Sequence, residues 1–264
     1  MARVARVARV ARVAQVAQVA RVAREPGGPG GPGARWPRSP KSGARVVGAP
    51  PQTGRVLDLV LPLQCGGCGN PGTRWCTACA KELAVRADQP HLVTPRLDPG
   101  VPVLSLGRYA GARRKVIIAV KEHGRADLLG PLAGALAAAL EQLLTWGILD
   151  TPLTVVPAPT RRSAARRRGG DPVTRMARAA VAAHPGLTVI PALRLRAFTR
   201  DSVGLSSAGR QRNIAGSIQL STPVTGPVVV VDDVVTTGAT VTESVRVLQA
   251  CGADVVAVLA LAHA

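Results

Sequence analysis

The chain has 264 residues, enough for one large domain or two unequal ones with a substantial core, and 47% of its residues are apolar. Aromatic residues make up only 2%, which argues against a stand-alone module that grips single-stranded nucleic acid by base stacking. The formal net charge of +19 favours polyanionic partners such as diphosphates or nucleic acid, although solvated surface charge explains it equally well.

Residues 1–55 are expected to form a disordered, basic tail with 11 Lys and Arg against one Glu. The first 24 residues repeat Ala-Arg-Val or Ala-Gln-Val. A valine at every third position lines no single face of a helix and does not match a strand. A Pro-Gly run at 26–33 continues as a flexible linker. We favour sequence translated upstream of the true start, and the alternative is a basic tail that binds nucleic acid.

Four of the five cysteines are spaced as two Cys-x-x-Cys pairs, and they are Cys65, Cys68, Cys76 and Cys79. Two such pairs supply four thiolates for one tetrahedral zinc ion, and the glycines between them permit the turns of a small ribbon. A redox pair or a disulfide in an exported protein are the alternatives. Because no apolar leader and no apolar run of about 20 residues is evident, we expect a cytoplasmic protein without a membrane span. Structural zinc in a module over residues 56–90 is therefore favoured.

Downstream, the hydrophobic pattern alternates between strands and helices. Prolines 90, 95, 99 and 102 mark a linker, and residues 194–209 are expected to form a functional loop. Asp171 suits the N-cap of a helix that begins with Pro172. Cys251, before Gly252, is expected to be a small core residue.

Strands are predicted at 103–109, 153–156, 187–190, 228–231 and 253–262. Helices are predicted at 81–86, 111–122, 125–146 and 171–184, and after residue 240. This alternation predicts an α/β domain over residues 100–264 with a doubly wound parallel sheet.

The most informative segment, residues 228–240, reads Val-Val-Val-Val-Asp-Asp-Val-Val-Thr-Thr-Gly-Ala-Thr. The valine run predicts a buried central strand, so Asp232 and Asp233 should lie at the carboxyl edge where open α/β sheets bind ligands. The following loop would present backbone N–H groups at a helix N-terminus to a phosphate, with Gly238 allowing positive φ or close approach. The carboxylates would suit paired hydroxyls such as those of ribose. The alternative is the acidic pair of a metal-dependent aspartate enzyme.

This segment resembles the phosphoribosyl pyrophosphate (PRPP) motif of type I phosphoribosyltransferases. The resemblance implies that Asp232 and Asp233 hold the ribose 2′- and 3′-hydroxyls, and that the loop holds the 5′-phosphate through Thr236, Thr237, Gly238, Ala239 and Thr240. It also implies a pyrophosphate loop after the strand at 153–156, with Arg161 and Arg162 as cationic partners and Mg²⁺ accompanying PRPP. Lys121 and Arg210 are further phosphate candidates, or else surface or ion-paired residues.

The order of features from Val56 to Leu261 resembles the ComF-like competence family, in which a four-cysteine zinc module precedes a phosphoribosyltransferase-type domain. Beyond the cysteines and the PRPP motif, the matching pieces are Leu57-x-Leu59, Tyr109-x-Gly111, Arg114, Lys121, Gly124, residues 155–159, Arg168-Gly169, Gly204-Leu205 and Arg210-x-x-Asn213. The resemblance implies a PRPP-binding protein that assists DNA uptake or the handling of single-stranded DNA, with a competence helicase as a possible partner. An active PRPP-dependent transferase of nucleobase or amine salvage, and a PRPP-sensing regulator without catalysis, are the alternatives.

Overall fold

The computed structural model describes residues 63–160, 170–196 and 216–264. The predicted tail, the first residues of the predicted zinc module, most of the basic loop after residue 160 and most of the predicted functional loop lie outside these ranges. The described strands are β1 (His91–Val93), β2 (Val103–Ser105), β3 (Leu153–Pro157), β4 (Leu187–Val189), β5 (Leu193–Leu195), β6 (Ile218–Leu220), β7 (Gly226–Val235) and β8 (Ala253–His263). The described helices are α1 (Thr77–Leu83), α2 (Gly111–Lys121), α3 (Leu129–Thr145), α4 (Pro172–Val181) and α5 (Ala239–Ala250), with a 3-10 turn at Ala126–Leu128 leading into α3.

A six-stranded sheet in the order β1-β2-β8-β7-β3-β4 organises the described residues. All its neighbouring pairs are parallel except β1 with β2 at one edge, and β5 pairs with β6 as a separate antiparallel ribbon. Valine, leucine and alanine dominate the central strands β3, β7 and β8, and such apolar runs are typical of a parallel sheet covered on both faces. The mostly parallel α/β architecture predicted from the alternating pattern is confirmed.

Helices cover both faces of this sheet. Val229 and Val231 of β7 belong to a core cluster with α2, α3 and α4. Val228 and Val230, which alternate with them, belong to a second cluster with α5. All four valines are completely buried, as predicted for a central strand. Successive strand residues point to opposite faces of the sheet, so the run of four valines supplies both cores.

Helix α4 begins as its sequence predicts. The Asp171 carboxylate accepts hydrogen bonds from the backbone N–H groups of Val173 (3.3 Å) and Thr174 (3.2 Å), and Pro172 occupies the first turn. These contacts satisfy two of the N–H groups that a helix leaves unpaired at its start. Thr160, three residues beyond the end of β3, donates its hydroxyl to the same carboxylate at 2.7 Å. The start of α4 is therefore tied to the carboxyl end of β3.

The stretch Ala126–Thr145, 20 residues long, is apolar enough by length and composition to cross a membrane. Its inward residues, including Leu132, Leu136 and Leu140, are buried in the core that α3 shares with α4 and the sheet. A core helix of a soluble protein passes the same test of length and composition, and the packing of this stretch is compatible with that role.

Several predicted boundaries are wrong. Strand β1 lies within the predicted linker, because a three-residue edge strand between prolines is too short to show a pattern. The strand predicted at 103–109 ends at Ser105, and the loop predicted from residue 194 is shortened by β5. Helix α1 begins at Thr77 instead of residue 81, because the Cys76 thiol caps it by accepting from Cys79 N–H.

Cys251 is exposed, so its prediction as a core residue is wrong. It follows the last residue of α5 at the C-cap and lies off the buried stripe of that helix.

Strand β7 also runs four residues beyond its predicted end, to Val235. The reason is that β8 stays alongside it, pairing Asp232 with Ala260 and Val235 with His263.

Candidate functional site

The connections of the sheet change direction between β3 and β7. The chain leaves β3 through α4, on one face, to reach β4, and it leaves β7 through α5, on the other face, to reach β8. Where neighbouring parallel strands send their connections to opposite faces, a crevice opens outside their carboxyl ends, and ligands of open α/β sheets bind in such crevices. The predicted acidic pair lies on β7 at this position.

The pairing of β3 with β7 ends just before the acids. Pro157 is level with Val231, and Ala158 N–H donates to the Val231 carbonyl at 2.8 Å. Asp232 and Asp233 follow immediately, and among the strands that the structure describes β8 alone continues beside them. The acids therefore lie inside β7, at the point where its β3 side opens.

Asp233 is buried, with 5% of its surface exposed, and pairs with a lysine from another element. Lys121, the last residue of α2, donates from Nζ to Asp233 Oδ1 at 2.7 Å. Burial works against the charge of Lys121, but the neighbouring Asp233 and Asp232 carboxylates outweigh it and raise the pKa of Lys121. From the sequence, Lys121 was a candidate phosphate ligand, with a surface residue or an ion-paired residue as the alternatives. In the structure it forms an ion pair with Asp233.

Asp232 is only partly buried, and its surroundings differ from those of Asp233. Its Oδ1 accepts the backbone N–H of Asp233 at 2.8 Å. Burial, together with the charge of Asp233, raises the pKa of Asp232 well above its ordinary value, although Lys121 acts in the opposite direction. The crevice thus holds one carboxylate with a fixed cationic partner and one whose ionisation is costly without a ligand.

The loop after β7 has the backbone that its sequence predicts. Gly238 has φ of 86°, in the left-handed region, and α5 begins at the next residue. A Cβ on Gly238 would lie 2.6 Å from the Leu97 carbonyl oxygen, so both reasons for a glycine are present. The first N–H groups of α5 have no partner inside the helix, and the helix dipole adds positive potential there. Thr236 is exposed and Thr240 partly so.

The segment around Leu97 holds this loop in place. Leu97 N–H donates to the Thr237 carbonyl at 2.9 Å, and the Thr242 hydroxyl donates to the Leu97 carbonyl at 3.2 Å. Sequence analysis missed this contact, because the prolines around residue 97 indicate only a linker. No local signal could have found it, since the two segments are more than 100 residues apart in the chain.

The structure brings Lys121 to the acidic pair and places the five loop residues Thr236, Thr237, Gly238, Ala239 and Thr240 next to it in the chain. The predicted pyrophosphate arginines, Arg161 and Arg162, and the phosphate candidate Arg210 lie outside the described residues.

A second candidate site is the cysteine cluster. The four sulfurs, of Cys65, Cys68, Cys76 and Cys79, all lie within 4.8 Å of one another, and all four are unpaired thiols. The sulfurs of Cys68 and Cys76 are 3.6 Å apart, well beyond the roughly 2.05 Å of a disulfide bond. A tetrahedral ion with Zn–S bonds of about 2.3 Å would place its sulfurs about 3.8 Å apart. The cluster therefore fits a metal such as zinc.

The backbone around the cluster supports thiolate ligands. Cys65 Sγ accepts the N–H groups of Gly67 at 3.5 Å and Cys76 at 3.3 Å. Burial opposes ionisation of Cys65, but N–H donors from Cys68, Cys76 and Gly67 together lower its pKa to about 6. Burial raises the pKa of Cys79, helped by hydrogen bonds with the other three sulfurs. The Cys65 thiol is therefore prepared for ionisation, whereas a cation would be needed to ionise Cys79.

The cysteine cluster packs directly on the sheet domain. Cys65 and Cys79 share a small buried cluster with Ala112, in the first turn of α2. Glu82 of α1 accepts the Ala112 N–H at 2.7 Å. This carboxylate caps the N-terminus of α2, where a negative charge is stabilised by the helix dipole. Helix α2 therefore runs from the cysteine cluster at its start to Asp233 at its end.

Comparison with protein-family models finds no match to this chain, and comparison with curated proteins finds none either.

Proposed function

We propose that this protein binds PRPP in the crevice beyond β7 and β3, as a ComF-like member of the phosphoribosyltransferase family. One observation carries the proposal. An acidic pair in the crevice between β3 and β7 is followed directly by a loop with a positive-φ glycine, Gly238, and by the N-terminus of α5. A bound sugar phosphate needs acceptors for its hydroxyls and donors for its phosphate at the two ends of one short ligand. Asp232 and the start of α5 supply these two kinds of group.

In this proposal the N–H groups and threonine hydroxyls of residues 236–240 hold the 5′-phosphate. The diphosphate lies towards the carboxyl end of β3, where the basic loop that contains Arg161 and Arg162 begins. Mg²⁺, a hard cation that prefers phosphate oxygens and water, would accompany the diphosphate as part of the ligand. Bound in this way, the C1 carbon of the sugar would be fixed between its two anionic ends, which is the positioning that loss of pyrophosphate requires.

The biological role we propose is assistance in DNA uptake or in the handling of single-stranded DNA. The cysteine cluster, closed around a structural zinc ion, would form the contact surface for nucleic acid or for a partner helicase. Residues 56–264 alone hold 23 Lys and Arg against 14 Asp and Glu, a net charge of +9, which is compatible with a polyanionic partner. An active transferase is the second candidate, and the acidic pair with the complete loop motif favours it.

Calorimetric titration with PRPP and Mg²⁺ tests the ligand. Wild type should bind, and Asp232→Asn should bind at least about tenfold more weakly, since a hydrogen bond to a charged group contributes about 1.5–3 kcal/mol. Asp150→Asn, at an exposed position outside the crevice, is the matched control. If wild type shows no heat of binding at millimolar PRPP, the proposed function is wrong.

Two further assays separate the roles. Release of pyrophosphate from PRPP in the presence of a panel of nucleobases would show a transferase. Salt-dependent binding of single-stranded DNA that is lost in Cys65→Ser would support the accessory role. Binding of PRPP without either result would indicate a sensor.

A further inference from the structure

A buried arginine in the first turn of α2 has no acidic partner in the part of the chain that the structure describes. Arg113 is 8% exposed, and its buried Nε has no hydrogen-bond partner there. No ion pair of the described residues includes it. The nearby Glu82 carboxylate accepts the Ala112 N–H instead. A charged group that is buried needs a partner of opposite charge, so Arg113 marks a candidate anion site.

The guanidinium of Arg113 lies against the backbone just beyond β2. A Cβ on Gly107 would lie 2.7 Å from Arg113 Nη1, so the lack of a side chain at Gly107 leaves room for the guanidinium. The Gly107 carbonyl accepts the backbone N–H of His263, the last residue of β8, at 2.9 Å. Arg108 forms a parallel bridge with His263. Arg113, Arg108 and His263 therefore lie together at the carboxyl ends of β2 and β8.

Positive charge dominates this part of the sheet edge. Burial lowers the pKa of His263, and the charges of Arg108 and Arg113 lower it further. Burial also lowers the pKa of Arg113, and the charge of Arg86 adds to the effect. Arg86 has Asp88 as an ion-pair partner at 3.3 Å, whereas neither Arg108 nor Arg113 pairs with a carboxylate within the described ranges. Two guanidinium groups without acidic partners suit a dianion better than a monoanion.

Ser105 holds the imidazole of His263. Ser105 Oγ lies 3.1 Å from His263 Nδ1, and its hydroxyl donates to the Gly107 carbonyl at 3.1 Å. Because the hydroxyl hydrogen is used in this way, Nδ1 carries the proton of the neutral imidazole and donates to Oγ. A second proton would go to Nε2, and a nearby anion would favour it. Protonation of His263 therefore reports whether an anion is bound.

We propose that Arg113, Arg108 and His263 form a binding site for a terminal phosphate group at the carboxyl ends of β2 and β8. A guanidinium binds phosphate oxygens through two parallel N–H donors. A terminal phosphate carries close to two negative charges, whereas each phosphodiester of a nucleic acid carries one. The burial of Arg113 also favours a compact group at the end of its molecule.

This site is separate from the proposed PRPP crevice. In the sheet order, β8 and β7 lie between the end of β2 and the end of β3, towards which the diphosphate of PRPP is proposed to lie. The inference therefore does not depend on the proposed function.

NMR titration of His263 tests the site. The pKa of His263 is measured in sodium chloride and in sodium sulfate at matched ionic strength, and His263→Gln identifies the resonance. Sulfate has the tetrahedral shape of phosphate and keeps its charge throughout the titration. In wild type, sulfate should raise the pKa of His263, with an about tenfold higher proton affinity. In Arg113→Leu the pKa should be the same in both salts.

Thermal unfolding gives a second readout. At about ten times its dissociation constant, sulfate should raise the melting temperature of wild type by about 3–6 °C. Arg113→Leu should lose most of this rise, whereas Arg178→Leu, at an exposed position of α4, should keep it. In chloride, Arg113→Leu should be at least as stable as wild type, because it removes a buried charge that has no partner.

Two further arms separate the possible ligands and sites. Oligothymidylate without a terminal phosphate offers only diesters and should leave the pKa of His263 unchanged, and a rise equal to that in sulfate would refute a terminal phosphate as the ligand. Gly238→Ala, which alters the loop after β7, should keep the sulfate response of His263. The phosphate site and the proposed PRPP site can therefore fail independently.

An unchanged pKa of His263 in wild type overturns the phosphate site, and so does an equal rise in Arg113→Leu. Should Arg113→Leu fail to fold, Arg108→Ala serves in its place, because Arg108 is exposed. This variant should bind sulfate about threefold more weakly, and undiminished binding would equally refute the site.

Discussion

Replacing Lys121 by methionine would leave the buried Asp233 carboxylate without its cation and should lower the free energy of unfolding. Breaking a fully buried pair by removing one partner costs about 3–5 kcal/mol. The Lys121 side chain is 32% exposed, so water can reach the vacated site, and we expect about 2–3 kcal/mol. Asp233→Asn should cost less, about 1–2 kcal/mol, because the lysine that remains can turn towards solvent.

Urea denaturation followed by circular dichroism measures these changes as shifts of the midpoint at constant slope. Arg246→Met is the control, since it also removes a cation from a buried carboxylate, that of Glu243. Arg246 is 61% exposed and Glu243 keeps the Gly216 N–H at 2.8 Å, so this variant should cost less than about 1 kcal/mol. If Lys121→Met is no more destabilising than Arg246→Met, the ion pair does not support the fold as argued.

Three other outcomes are expected. Purified protein should contain one zinc ion per chain by elemental analysis, and Cys65→Ser should lose it with a lower melting temperature, whereas Cys251→Ser should keep it. In thermal unfolding, Gly238→Ala should destabilise the fold by about 1–3 kcal/mol, and the variant should also lose phosphate binding by this loop. Its control is Gly134→Ala, at an exposed helical position with open space around it, which should stabilise the fold by about 0.5–1 kcal/mol. Affinity for ribose 5-phosphate should fall as the pH drops through the raised pKa of Asp232, because the ionised form accepts the hydroxyls, and a flat pH profile would contradict that role.

Local patterns determined those parts of the molecule in which a short stretch of chain carries its own physical requirement. Four consecutive β-branched residues predict a buried parallel strand, and Val228 to Val231 form one. A single glycine between hydroxyl residues predicts a tight turn before a helix, and Gly238 has the required positive φ. Asp-Pro predicts a helix start, and Asp171 caps α4. The two Cys-x-x-Cys pairs predict a cluster, and their sulfurs converge.

Only the tertiary structure determined the contacts between residues that are far apart in the chain. Asp232 and Asp233 are adjacent residues of the same type, and only the packing of α2 on the sheet gives Asp233 its ion-pair partner. Lys121 meets Asp233 across 112 positions of the chain, and Leu97 closes against the Gly238 loop from a segment that indicates only a linker. Local patterns encode backbone preference and burial, whereas a partner is chosen by the folded arrangement of the whole sheet.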